Sequence, residues 1–280
     1  MPARLFECGF AAAFLGWTIT RAFSWRDWLT GEGFHLTEDE LLSMGYPPPW
    51  QPMSPVQAWL FMAVVVTGVL MLLAPIAKGV PVRFWTRHRR KAGLWTLAFC
   101  ALLFQKVDFM AAFTLNKLYI GVFFLLALSP GMRFCSDTGK LVIPGITIRV
   151  LQWTLVLQYF AAGLAKMEGD WLRSNDVLWE HVQGVYRTSV AAWALQHMPR
   201  WVWSALQNLS LAFEVLAPLL FFIRFLRPAG IFIGICFHLM IALMMKDLIF
   251  FSAQMWTFYL LFVTPEQLRW ARAWFQKSSC

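Results

Sequence analysis

Gln152, Tyr159 and Lys166 follow one another at intervals of seven residues in a long apolar run. On a helix that spacing places them on nearly one face, and Gly163 beside that face leaves room next to it. A lysine in such surroundings is a candidate for acid–base work. Burial away from an adequate carboxylate favours the neutral amine, which is a usable general base. The plainer reading is a lysine at a helix end whose ammonium reaches the headgroups. A second polar stripe, Gln207, Ser210 and Glu214, falls at i, i+3 and i+7. His238 forms a third feature, with Gly234 and Ala242 four residues to either side. A lone helical histidine serves as a structural donor as readily as a catalyst. A carboxylate such as Glu214 near Lys166 or His238 would offset buried charge, as part of a catalytic site or as a structural pair. Glu7, Lys106, Asp108 and Lys117 complete the ionisable groups set in apolar sequence.

The elements that carry these residues follow from composition. The chain has 280 residues, 59% hydrophobic and 14% charged, with 26 Phe and 16 Trp. Its mean hydropathy is +0.56. So little charge cannot clothe a water-soluble domain of this length, which excludes an ordinary soluble enzyme, a disordered chain and a disulfide scaffold. Lipid is the solvent such a surface fits. A charged group at the centre of a membrane helix costs at least about 2.5–3.5 kcal/mol, so those present usually line a polar interior.

A crossing helix needs about 20 mostly apolar residues. Eight candidates meet this loosely: 5–24, 56–77, 93–113, 118–129, 148–166, 201–223, 229–245 and 248–263. The fourth is short and the Lys246–Asp247 joint is tight, so the expected count is six to eight. The first run carries Glu7 and has no small-residue cleavage pattern before Arg21, so it reads as an uncleaved span. With the N-terminus in the cytoplasm, most of the 24 Lys and Arg fall on one side and most of the 15 acids on the other. The positive-inside rule then places both termini in the cytoplasm. It makes Arg83–Lys91 a cytoplasmic loop beside anionic lipid. The net charge of +9 reports orientation and gives no reason to expect nucleic acid.

Two external segments are expected, 25–55 and 169–200. In the first, Thr37 can N-cap a short helix with Glu40 three residues on, before the rigid Tyr46–Trp50 stretch. The second is rich in tryptophan and suits helices lying in or near the membrane plane. The expectation is one all-α domain over residues 1–280, a polytopic integral membrane helix bundle of about eight transmembrane helices.

Soluble-site motifs are few. Cys8, Cys100, Cys135, Cys236 and Cys280 form no C-x-x-C, and the five histidines show no metal-ligand spacing, so no metal is expected. The cysteines read as small buried hydrophobes. Gly230 and Gly234 form a G-x-x-x-G, whose usual meaning is close helix packing.

LQYFAAGLAKMEGDW (Leu157–Trp171) resembles the tyrosine–small–lysine–tryptophan signature of the membrane module of vitamin K-dependent gamma-carboxylase. The bacterial HTTM proteins (horizontally transferred transmembrane domain) share that module. Leu115–Tyr119, Met132–Lys140, Leu211–Phe222, Gly234–Met245 and Phe250–Phe262 resemble further family segments in the same order. The resemblance covers most of the chain from about Phe99, and His35–Leu42 and Tyr46–Trp50 fit it loosely.

The resemblance implies a quinone-linked membrane enzyme. Lys166 would be the general base that deprotonates a reduced quinone of the vitamin K or menaquinone type. Asn116 and His238 would be the catalytic companions of Lys166. Tyr159, Glu214 and Trp171 would support them, as would Lys117 and Asp108, which enter as ionisable groups in apolar sequence and not through the resemblance. The site would open to the lumenal or periplasmic side, and the protein would sit in a bacterial inner (plasma) membrane. Three departures qualify the activity. Lys117 replaces the family's histidine, and Leu239–Met245 replaces a polar run of the animal carboxylases. The large external domain that captures their protein substrate has no counterpart in these 280 residues. The expected substrate is therefore smaller, or a partner protein or peptide, or the quinone-linked reaction differs. The rival expectation is a non-catalytic bundle that binds lipid or a partner membrane protein. A small transporter is disfavoured, since no repeated halves with broken helices are evident.

Overall fold

A computed structural model describes residues 2–33, 35–45, 48, 50–73, 82–107, 113–129, 133–135, 140–142, 145–184, 186–246, 248–264 and 266–267. The described chain is helical apart from one small hairpin, and it divides into two compact units. Asp108, Asp247 and Cys280 lie outside the described residues, as do parts of Tyr46–Trp50 and Met132–Lys140.

The N-terminal unit spans Glu7–Thr147. Its long helices are α1 (Pro2–Ala22), which begins before the unit, α4 (Pro55–Leu73), α5 (Val82–Val107) and α6 (Phe113–Leu128). Two short helices, α2 (Trp25–Leu29) and α3 (Glu38–Ser43), lie between α1 and α4. Strands β1 (Arg133–Cys135) and β2 (Lys140–Val142) pair antiparallel, with Phe134 opposite Leu141. Aromatic side chains dominate the core: Phe10, Phe14, Trp17 and Phe123 gather around buried Tyr119, with the Phe14 ring 4.8 Å from it. Helices α4 and α5 approach closely, since a Cβ on Gly93 would stand 2.9 Å from the carbonyl of Gly68.

The stretch Arg83–Lys91, expected as a loop, is the first part of helix α5. Near its end the stretch is buried inside the unit. Arg90 is buried and donates both to Oε1 and to Oε2 of Glu7 from Nε, at 3.1 and 3.0 Å, with a further contact from its Nη2. An arginine that the charge pattern assigned to topology therefore belongs to an ion pair inside the unit.

The α3 cap forms as its spacing predicts. Thr37 Oγ1 accepts from the Glu40 N–H at 3.3 Å, and the Thr37 N–H donates to the Glu40 carboxylate at 2.8 Å. Those two groups, the backbone N–H first and the hydroxyl second, hold the Glu40 carboxyl below the usual carboxylate range. The 25–55 segment is tied down by its backbone, Met53 N–H to Leu29 at 2.7 Å and Trp50 N–H to Lys106 at 2.8 Å.

The C-terminal unit comprises Met1–Phe6 and Ile148–Cys280. Its helices are α7 (Gly145–Glu168), α8 (Val177–Val182), α9 (Ser189–His197), α10 (Arg200–Phe222), α11 (Arg227–Met244) and α12 (Ile249–Tyr259). Helix α12 continues as a 3-10 turn, Leu260–Phe262. The 169–200 segment folds onto the ends of α10 and α11. Val182, Ala191, Ala194, Trp203 and Met244 form a small core there. Thr188 Oγ1 donates to the Leu243 carbonyl at 2.6 Å, and the Lys246 N–H donates to Tyr186 at 2.6 Å.

The glycine pair acts as the packing motif predicts. A Cβ on Gly230 would meet Leu220 of α10 at 3.0 Å, and one on Gly234 would fall on the Tyr259 hydroxyl. The room expected beside Gly163 is taken by α10: a Cβ there would stand 2.9 Å from Val215 Cγ2 and 3.0 Å from its backbone nitrogen.

Among the described residues, Pro55–Leu73, Arg200–Phe222 and Arg227–Met244 are long and apolar enough to cross a membrane. Leu115–Leu128 and Ile249–Phe262 are apolar and shorter. Many of their outward side chains are large and apolar, such as Trp59, Leu60 and Leu70 on α4 and Phe232 on α11. That surface suits a lipid bilayer.

Candidate functional site

Helix α7 delivers Gln152, Tyr159 and Lys166 along one side, as the seven-residue spacing requires. Each finds a different partner. Gln152 Nε2 donates to the Leu261 carbonyl at 2.8 Å. Tyr159 is buried among α10, α11 and α12. Lys166, near the helix end, donates to Glu214 Oε1 of α10 at 2.7 Å.

The ion pair is asymmetric in exposure. The Lys166 side chain is 22% exposed and that of Glu214 is 6%. Aromatic faces wall the ammonium, with Nζ 4.3 Å from the Trp171 ring centre and 5.9 Å from that of Phe237. Such contacts favour a cation near a ring face. Glu214 Oε2 is buried and has no hydrogen-bond partner among the described residues. Pro218 follows Glu214 by one helical turn and has no N–H to offer its carbonyl, so α10 loses a rung where it carries this carboxylate.

A second polar group lies in the same unit. Tyr159 Oη stands 2.6 Å from His238 Nε2 and 2.6 Å from Tyr259 Oη. The three side chains, all buried, join α7, α11 and α12 in one hydrogen-bonded chain. Ser252 Oγ donates to the His238 carbonyl at 2.7 Å, fixing α12 against α11. His238 Nδ1 is buried without a partner among the described residues. Phe213 bridges the two polar groups, with its ring 5.0 Å from Tyr159 and 5.5 Å from Phe237.

The structure thus brings Lys166, Glu214 and Trp171 together, and separately Tyr159 and His238. Glu214 pairs with Lys166, one of the two partners the sequence offered it. Asn116 and Lys117 belong to the N-terminal unit. There Asn116 is buried and donates to the Ala101 carbonyl at 2.8 Å and to Gln105 Oε1 at 3.3 Å. Lys117 is exposed. Among the described residues no cluster of His, Cys, Asp or Glu could hold a metal ion. Cys100 is a buried thiol, but Cys8 is half-buried and Cys236 exposed, so burial holds for one of these three cysteines.

Tyr259 and Ser252 escaped the sequence reading. Both lie in the last apolar run and carry no charge, so the search for ionisable groups passed over them. Gln207 was placed on the α10 stripe without a role; in the structure its amide binds backbone at three points.

The family model for the HTTM domain matches residues 118–267, more than half of the chain. The chain belongs to the HTTM domain family. The matched region of this HTTM protein contains Lys166, Glu214, Tyr159, His238, Tyr259 and Trp171, and it ends before Asn116 and Lys117 on the N-terminal side. No curated protein and no solved structure matches the chain.

Proposed function

We propose that this HTTM protein is a quinone-linked membrane enzyme in which Lys166 is the general base and Glu214 its proton partner. The single observation that carries the reading is the Lys166–Glu214 pair at 2.7 Å, half-open and walled by Trp171 and Phe237. A pure anchor would need only headgroups, whereas this lysine meets a carboxylate on another helix.

The residues fit an aromatic, weakly acidic ligand. The ring faces of Trp171 and Phe237 can stack on it. Glu214 Oε2, buried with no partner among the described residues, can take up a proton. A reduced quinone would supply an acidic hydroxyl and two reducing electrons. The chain's own part is proton handling. As an ammonium donating to Oε1, Lys166 would have no lone pair to offer. Transfer of that proton to Glu214 leaves a neutral amine at Nζ and a neutral carboxylic acid. Nζ then accepts a proton from an acidic hydroxyl, and the regained ammonium is again held by aromatic faces. The Trp171 ring, 4.3 Å from Nζ, shields one side of it from water, which strengthens the electrostatic contacts there.

Tyr159, His238 and Tyr259 brace α7, α11 and α12 against one another through a separate hydrogen-bonded chain. Asn116 is proposed as a supporting group on the family resemblance alone, and Lys117 and Asp108 only as ionisable groups set in apolar sequence. The membrane setting is proposed as eight crossings, with α1, α5, α6, α7 and α12 added to the three long apolar helices. Both termini would face the cytoplasm of a bacterial inner membrane. The substrate that uses the reaction would be a small molecule or a partner protein or peptide.

A second reading has one observation in its favour. A lysine already closed onto Glu214 and covered by an indole is what a structural ion pair looks like. Quinone binding and quinone-dependent turnover by purified protein, with Lys166→Ala beside wild type, separate the two. The enzyme reading expects turnover lost in the variant. Equal turnover in both overturns the base assignment.

A further inference from the structure

Gln207 is fully buried on α10, seven residues before Glu214 and on the same side. Its amide spends both donors and its carbonyl oxygen on one short stretch of backbone. Nε2 donates to the Ser174 carbonyl at 2.6 Å and to the Trp171 carbonyl at 3.0 Å. Oε1 accepts from the Leu178 N–H at 3.1 Å. That stretch contains a single 3-10 turn, Asp170–Leu172, and the start of α8. Its backbone groups need partners that a longer helix would have supplied internally. Gln207 supplies three of them.

The consequence reaches Lys166 through Trp171. The carbonyl that Gln207 holds belongs to the residue whose indole covers Nζ at 4.3 Å. One face of α10 therefore brings the carboxylate to Lys166 directly and the indole indirectly.

We infer that Gln207 is a positioning residue for Lys166: by clamping the backbone at Trp171, Ser174 and Leu178 it sets the indole over the ammonium and governs access to the amine. Its functional meaning rests on the reading of Lys166 as the reactive group. The placement itself can be measured without a quinone.

The test is the rate at which Lys166 is acylated by an amine-reactive ester, read by mass spectrometry on the full chain in lipid nanodiscs. Lys246 serves as the internal comparison. Trp171→Leu and Gln207→Leu should each speed acylation of Lys166 by about fivefold, the size of one partly exposed cation–π contact, with Lys246 unchanged. The double variant should be no faster than the faster single variant, because both remove one shared contact. Gln207→Glu keeps the side-chain shape and the acceptor but loses donors, so it should fall between wild type and Gln207→Leu.

A Lys166 rate in Gln207→Leu within about twofold of wild type, beside a raised rate in Trp171→Leu, overturns the inference. So does a double variant whose acceleration equals the product of the single effects. A general rise at Lys246 as well marks loss of fold and counts against positioning. Should Gln207→Leu not be recovered folded, Gln207→Glu decides by the same comparison with Trp171→Leu. Turnover does not enter this readout, so failure of the quinone reading and failure of the clamp are told apart.

Discussion

Glu214 accepts a hydrogen bond from Lys166 across 2.7 Å, joining α10 to α7 over 48 positions of sequence. The pair has two coupled properties. It stabilises two ionisable groups set in apolar surroundings, and it places a proton donor and a proton acceptor in direct contact.

Breaking the pair on one side should cost more than removing it whole. Glu214→Ala leaves the ammonium with only ring faces and solvent, and should destabilise by about 1–3 kcal/mol. Combining it with Lys166→Met should recover part of that loss. The expected coupling in a double-mutant cycle is at least about 0.5 kcal/mol, read from thermal unfolding in detergent. Additive losses would contradict a working pair.

Tyr159 serves two partners where Tyr259 serves one of the same chain. Tyr159→Phe strips a partner from both His238 Nε2 and the Tyr259 hydroxyl, all of them buried. Each orphaned buried group costs about 1–3 kcal/mol, so Tyr159→Phe should destabilise more than Tyr259→Phe. The ranking of unfolding temperatures checks it; the reverse order would contradict the hydrogen-bonded chain.

Glu7 and Arg90 form the most buried ion pair described, with side chains 0% and 8% exposed. Arg90→Met should destabilise by about 3–5 kcal/mol, because a buried carboxylate loses its cation. Replacing both, as Glu7→Leu with Arg90→Met, should be far milder. Equal losses in the single and double variants, measured by thermal unfolding, would exclude a buried pair.

The α3 cap carries a pH dependence of known sign. The folded carboxyl of Glu40 lies below the usual range, held by the Thr37 N–H and hydroxyl. The cap is therefore fully present above the ordinary carboxylate range and is lost as pH falls through the lowered value. Amide protection of residues 41–44, corrected for intrinsic exchange, should decline on acidification. Thr37→Ala should flatten that dependence, and an unchanged decline would contradict the cap.

What could be read from sequence was local. The Thr37–Glu40 cap needs only a three-residue spacing, and the α7 stripe needs only helical periodicity. The G-x-x-x-G announced close packing because small size alone causes it. Pairings between distant segments were hidden. Glu7 and Arg90 lie 83 positions apart, and Arg90 stands in a basic run that reads as surface. The helical state of Arg83–Lys91 was missed for the same reason, since its charge signalled topology more strongly than its propensity signalled helix. Tyr259 carries no charge in an apolar run, and its role exists only once Gly234 lets α11 and α12 close around it.

Quinone-dependent turnover by purified protein in nanodiscs, compared between wild type and Lys166→Ala, tests the central claim most directly. The account predicts turnover in wild type and a loss of at least about a hundredfold in the variant, the usual worth of a general base. Equal turnover in the two proteins, or none in wild type with a full range of quinones, would contradict it.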